Sequence, residues 1–133
     1  MQEADEMPGV VRKEKAEIKG RKVVWNDLLH YQEGAVVSRT LIDKQAGTVT
    51  LFAFDEGQGL SEHTTPYDAL AMVTDGAAEI SIAGEPFSLT QGDLIVMPAN
   101  RPHALRAISA FKMMLIMIRS EDTEPQLMTE KME

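Results

Sequence analysis

Cysteine is absent from this sequence. Disulfides, thiolate metal sites and cysteine nucleophiles are therefore excluded. Positive charge is scarce as well: 13 Lys and Arg face 21 Asp and Glu, for a net charge of −8. Nucleic acid and anionic membrane both need a concentrated basic surface, so neither is expected as a partner. Long apolar runs are missing too. The longest, Met113 to Ile118, is far too short to cross a bilayer. The first twenty residues hold no apolar core, so no signal peptide is expected and a cytoplasmic location is the default.

What is present is enough apolar material for one packed domain. The chain has 133 residues, of which 44% are hydrophobic. Acidic residues concentrate at both ends, in MQEADE and in SEDTEPQLMTEKME. Residues 1–20 read as a flexible or strand-exchanging lead-in, 21–120 as the folded domain and 121–133 as an acidic tail. Within the domain, turn signals recur at short intervals: EG at 33–34, DEGQG at 55–59, DG at 75–76, GEP at 84–86 and QG at 91–92. Between them lie short runs rich in β-branched and aliphatic residues, such as VVSRTLI, TVTLFAF, ALAMVT and FKMMLIMI. Each is about one strand long. AEISIAGEPFSLT alternates on both sides of Gly84, as a half-buried hairpin does. A short helix is possible only at 23–32. The expectation is an all-β sandwich or barrel.

Two glycine-anchored frames stand out. The first is Gly57-x5-His63-x-Thr65-x3-Ala69-x6-Gly76. The second is Gly92-x5-Pro98-x-Asn100-x2-His103-x3-Ala107. The pair resembles the two motifs of the cupin superfamily, G-x5-H-x-H-x3,4-E-x6-G and G-x5-P-x-G-x2-H-x3-N. The resemblance spans roughly residues 35–118 and implies a jelly-roll β-barrel. In metal-bearing cupins the two first-motif histidines, the glutamate and the second-motif histidine hold one divalent ion. Here His63 and His103 match, while Thr65 and Ala69 stand at the other two ligand positions. Asn100 replaces the family glycine and Ala107 the final asparagine.

The resemblance thus implies a metal site with His63 and His103 as ligands and iron, manganese, nickel, copper or zinc as the ion, or no metal at all. Neutral imidazoles suit such first-row cations. Residues 63, 65, 69, 103 and 107 keep period-2 parity within each motif, so each set can face the barrel interior. Asp68 has the wrong parity, unless a bulge at Pro66 re-aims it as a stand-in carboxylate. Tyr67 shares parity with the histidines. The expected ligand pocket comprises Thr65, Tyr67, Asp68, Ala69, Met72 and Asn100.

Plainer readings stand beside these. An interior histidine is often a hydrogen-bonded core residue, small Thr65 and Ala69 fill space, and methionines are adaptable core. His30 has no motif around it. Ser61 shares parity with His63, but two residues along a strand is poor geometry for a nucleophile and its base. The functional expectation is a small-molecule-binding cupin, either a divalent-metal-dependent enzyme of oxygenase or isomerase type or a metal-free ligand-binding barrel. No catalytic residue is assigned. A homodimer is expected, with residues 10–24 pairing along an exposed strand edge.

Overall fold

A computed structural model describes residues 10–15 and 17–120. The expected acidic tail, 121–133, and the first nine residues of the lead-in lie outside the described residues. The rest folds as β1 (Val10–Lys15), β2 (Ala35–Lys44), β3 (Gly47–Phe54), β4 (Gly59–His63), β5 (Tyr67–Asp75), β6 (Ala77–Ile82), β7 (Glu85–Thr90), β8 (Leu94–Met97), β9 (His103–Ala107) and β10 (Phe111–Arg119). Six strands form one sheet in the order β1-β2-β3-β10-β5-β8 and four form a second, β4-β9-β6-β7. All pairs are antiparallel except β1 with β2. The strand-length runs pointed to an all-β sandwich or barrel, and the structure is the jelly-roll barrel that the resemblance implied. The stretch 23–32 yields only a 3-10 turn, Trp25–Asp27. Among the described residues no helix is long and apolar enough to cross a membrane.

Period-2 alternation explains which side chains meet between the sheets. On β10, Phe111 and Met113 are buried inside, followed by Leu115 and Met117 toward the other end of the barrel. On β5 the inward set is Ala69, Ala71 and Val73. Phe54 and Phe111 are fully buried and stack at 4.5 Å between ring centroids, 7° from parallel. Ile80, Met97 and Val36 complete the largest part of the core.

Two turns show why particular residues are needed. The β6–β7 hairpin closes through Ala83 and Gly84, at φ 50° and 86°. Both are left-handed, as a two-residue type I′ turn requires. Gly76, at φ 79°, carries the chain from β5 in one sheet to β6 in the other.

A second, smaller cluster sits outside the barrel. Leu29 packs on Val37, Leu51 and Ala53, with Leu28, Tyr31 and Met114 around it. Polar contacts tie this segment to the sheet. Arg39 Nη1 donates to the carbonyl of Leu28 at 2.5 Å, and Lys112 Nζ donates to Asn26 Oδ1 at 2.9 Å. Tyr31 Oη donates to Asp75 Oδ2 at 2.5 Å. Burial, then that hydrogen bond and the carboxylate charge, push the Tyr31 phenol well above its ordinary range. The segment before β2 is thus laid over the β2–β3 part of the sheet's outer face.

Candidate functional site

His63 ends β4 and His103 begins β9, and the two are direct cross-strand partners. A shift in register puts His63 there. Leu60 faces Leu105 while His63 faces His103, so β4 carries one more residue than β9 between these pairs. Such a bulge reverses the alternation of the strand. Leu60 points into the core, and without the extra residue Glu62 would follow it inward and His63 would turn out. With it, Ser61 and Glu62 are exposed and the His63 ring lies against His103. The parity that placed Ser61 on the face of His63 does not survive this bulge.

The imidazole rings sit 4.5 Å apart between centroids, tilted 64°. His63 Nδ1 lies 2.7 Å from the carbonyl of Ser61, and His103 Nδ1 lies 3.3 Å from the carbonyl of Arg101. A carbonyl oxygen only accepts, so in these bonds each Nδ1 carries the proton. In the neutral rings Nε2, the distal nitrogen, is then the free base. His103 is 5% exposed. Burial first, and the neighbouring His63 second, hold it below the usual histidine range, while the Arg101 carbonyl works in the opposite direction. The neutral, electron-donating form is the favoured one.

This shift has a sign that can be tested. As pH falls through about 6.5 the unfolded chain takes up a proton at His103 that the folded chain still refuses. Stability contributed by neutral His103 is full above that pH and is lost between it and the lower folded value. With chelator present, wild-type protein should lose urea-unfolding free energy from pH 7.5 to 5.5, and His103→Gln should lose less. Equal slopes for the two proteins would remove His103 as the cause.

The remaining expected pocket residues divide. Thr65 lies in the loop between β4 and β5, where its carbonyl accepts from the Asn100 backbone N–H at 2.7 Å. Asn100 occupies a left-handed conformation at φ 64°, one that asparagine tolerates better than other side-chain-bearing residues, so it replaces glycine there without breaking the turn. Ala69 is buried in the core between Met97 and Met117. Tyr67 begins β5 on the same inward face as Ala69. Asp68 faces outward: it is exposed, pairs with Ile118, and accepts from the Ala99 backbone N–H at 2.9 Å. No bulge re-aims it, because Tyr67 to Met72 pair with β10 in unbroken register. Met72 also faces outward, between Met114 and Leu94.

One residue at this end escaped the motif search. Arg119 closes β10 opposite Tyr67 and lies 5.4 Å over its ring. Its parity with Met113, Leu115 and Met117 is the signal that points to it.

The two rings supply half of a four-ligand metal site. Among the described residues no group of three or more His, Cys, Asp or Glu comes together to hold an ion. A cation at His63 and His103 therefore has to complete its shell with water or with a ligand's own donors.

Comparison with known proteins agrees with the two frames. The Cupin domain profile matches residues 50–119, more than half of the chain. The chain belongs to the cupin family. No protein of curated function matches it. This cupin is similar to the solved structure of a conserved protein of unknown function from Streptococcus pyogenes, at 35% identity and a TM-score of 0.73. That match covers 77% of this chain and 90% of the other. It is also similar to a cupin 2 conserved barrel domain protein from Leptotrichia buccalis, at 38% identity over 71% of this chain and 46% of that one, with a TM-score of 0.69. A cupin superfamily protein from Desulfitobacterium hafniense shares 27% identity over 79% of this chain and all of its own, with a TM-score of 0.73.

Proposed function

We propose that this cupin binds a small molecule at the His63–His103 pair, through a divalent metal ion of the first transition row that the two imidazoles hold together with donors from the ligand and water. The observation that carries this is the pair of Nδ1–H bonds to the carbonyls of Ser61 and Arg101, which orient the rings and leave both distal nitrogens basic. A bound ion would supply Lewis-acid or redox chemistry of the kind oxygenases and isomerases use. The chain's own part is to present two imidazoles from adjacent strands, each with Nδ1 tied to a backbone carbonyl, and to shield His103 from water. Thr65, Tyr67, Ala69 and Asn100 belong to the loop and strand around that pair and set the space beside it, and Asp68 and Met72 support the site from the outer face. The working unit in this reading is residues 21–120, acting as a cytoplasmic homodimer without nucleic-acid or membrane partners.

A second reading follows from Ala69. Its methyl group packs into the core at the position where a ligating carboxylate would be needed to balance the ion's charge. A metal-free barrel, in which the imidazoles hydrogen-bond a polar ligand directly, fits that feature equally.

Elemental analysis of protein purified without chelator separates the two. Expected is near-stoichiometric iron, manganese, nickel, copper or zinc in the wild type, with a loss of at least about tenfold in His63→Ala and in His103→Ala. Equal metal content in wild type and variants would overturn the metal reading. So would no metal after divalent ions are added back; thermal stabilisation by a metabolite and by no divalent ion would then establish the second.

A further inference from the structure

A cavity of about 360 Å³ lies on the outer side of the six-stranded sheet, at the barrel end away from the histidines. Three separate segments build it. Trp25 and Asn26 come from the 3-10 turn, Thr74 and Asp75 end β5, and Gln91 stands in the turn between β7 and β8. Two backbone hydrogen bonds fix that turn to β5. The Gly92 N–H donates to the Val73 carbonyl at 2.8 Å, and the Val73 N–H donates to the Asp93 carbonyl at 2.9 Å. Strand β5 carries one residue more than β10 here: Lys112 faces Asp75 and Met113 faces Val73, so Thr74 has no partner on β10. Bulges of this kind re-aim side chains and are frequent beside functional sites.

Two opposite charges line this cavity without pairing. Lys112 and Asp75 are direct cross-strand partners, a placement in which opposite charges ordinarily attract. Each is held by a different neighbour instead. Lys112 Nζ donates to Asn26, to Oδ1 at 2.9 Å and to the carbonyl at 3.4 Å, and lies 5.3 Å over the Tyr31 ring. Asp75 Oδ2 accepts from the Tyr31 phenol at 2.5 Å. Among the described residues no carboxylate forms an ion pair with Lys112, although that residue is only 5% exposed. A buried ammonium met only by amide oxygens and a ring keeps much of its desolvation cost.

We infer that this cavity binds a small zwitterion, an α-amino acid with an apolar side chain, whose carboxylate meets Lys112 and whose ammonium meets Asp75. The site is separate from the His63–His103 pair and does not rest on the metal reading. Charge selects a zwitterion. A plain anion is opposed by Asp75 and by the net charge of −8, and a plain cation by Lys112. A zwitterion gives Lys112 the carboxylate it lacks and brings an ammonium to Asp75 Oδ1, the oxygen that Tyr31 does not engage. Cross-strand partners have Cα atoms about 5 Å apart, a spacing that suits two charged groups borne on one carbon. Size and surface select the side chain. The volume is at the small end of ligand pockets, which run from roughly 300 to 1,000 Å³. The Trp25 indole, 37% exposed, is the large apolar wall.

Trp25 is the single tryptophan of the chain, so its emission reports on this cavity directly. Titrating L-phenylalanine into the full chain should change that emission saturably and release or absorb heat in calorimetry. Phenylpropionate, which lacks the ammonium, and phenylethylamine, which lacks the carboxylate, should each bind at least about tenfold more weakly. Lys112→Met, and Asp75→Asn, which keeps an acceptor for Tyr31, should weaken L-phenylalanine to the same degree. If Lys112→Met fails to fold, Asp75→Asn decides. Chelator should leave the titration unchanged. Binding lost with chelator would place the ligand at the histidines and overturn the assignment. Neither heat nor emission change with L-phenylalanine or L-leucine at millimolar concentration overturns it too, leaving Lys112 and Asp75 as a clamp on the segment before β2. Equal binding of either analogue, or unchanged affinity in Asp75→Asn, would overturn the zwitterion.

Discussion

Replacing Gly76 with alanine is expected to destabilise the protein by roughly 2–6 kcal/mol, the sum of a left-handed backbone cost and an overpacking cost. Both causes are local. The residue sits at φ 79°, where an L side chain is strained. A Cβ atom built there would also overlap the carbonyl oxygen of Ala110 and come within 2.8 Å of the Cα and Cβ of Phe111. These are backbone atoms and a core side chain at the start of β10, with little freedom to retreat. Gly84→Ala supplies the control. It has a similar φ, 86°, but nothing within 4 Å of the added carbon. That variant should lose only the backbone part, about 1–2 kcal/mol. Thermal melts of the two variants beside wild type check the point. Equal losses would show that the approach of β10 to Gly76 is immaterial. Against a total stability of about 5–15 kcal/mol, the larger loss leaves a marginal fold.

Truncating Phe111 to alanine should cost about 3–5 kcal/mol, the usual range for an aromatic removed from a core. Its ring is fully buried and stacked on Phe54, which comes from β3, next to β10 in the sheet. The two rings lie inside the barrel at the end opposite the histidines. Neither the sheet backbone nor a neighbouring side chain can close the space without abandoning a rotamer. Phe111→Leu, which keeps most of the volume, should cost under about 1.5 kcal/mol. Denaturant unfolding at constant m-value measures both. A Phe111→Ala loss below about 1 kcal/mol would mean that the barrel end collapses around the gap, contrary to the close packing of protein interiors. Metal content of that variant should match the wild type while it stays folded, since the site is at the other end.

The sequence by itself determined the class of fold and the pair of histidines. Short β-branched runs between glycine-bearing turns do not suit helices, and the strands they forecast are the ones that form. The frames around Gly57–Gly76 and Gly92–Ala107 marked His63 and His103 as partners although 39 positions divide them. These features are local in sequence, in turn chemistry and in spacing, so they can be read before any strand is paired. The strand β4 was not among the apolar runs, because its residues are too polar and glycine-rich to alternate clearly, and β1 was expected only as part of a lead-in able to pair along a strand edge; in the structure it pairs with β2.

Only the tertiary structure decided which way the side chains around the histidines point. Parity along a strand holds until a bulge interrupts it, and the extra residue between Leu60 and His63 is visible only as a register shift against β9. That pairing turned His63 in and left Ser61 and Glu62 outside, while the register of β5 with β10 kept Asp68 and Met72 on the far face of β5. It brought Arg119 over Tyr67 from more than fifty positions away and left Leu94 and Val96 bare beside Leu70 and Met72. Strand register is a relation between segments distant in the chain, set by the hydrogen bonds and packing of both partners at once. No single segment carries it, which is why the two histidines could be named from the sequence and the register that sets the side chains around them could not.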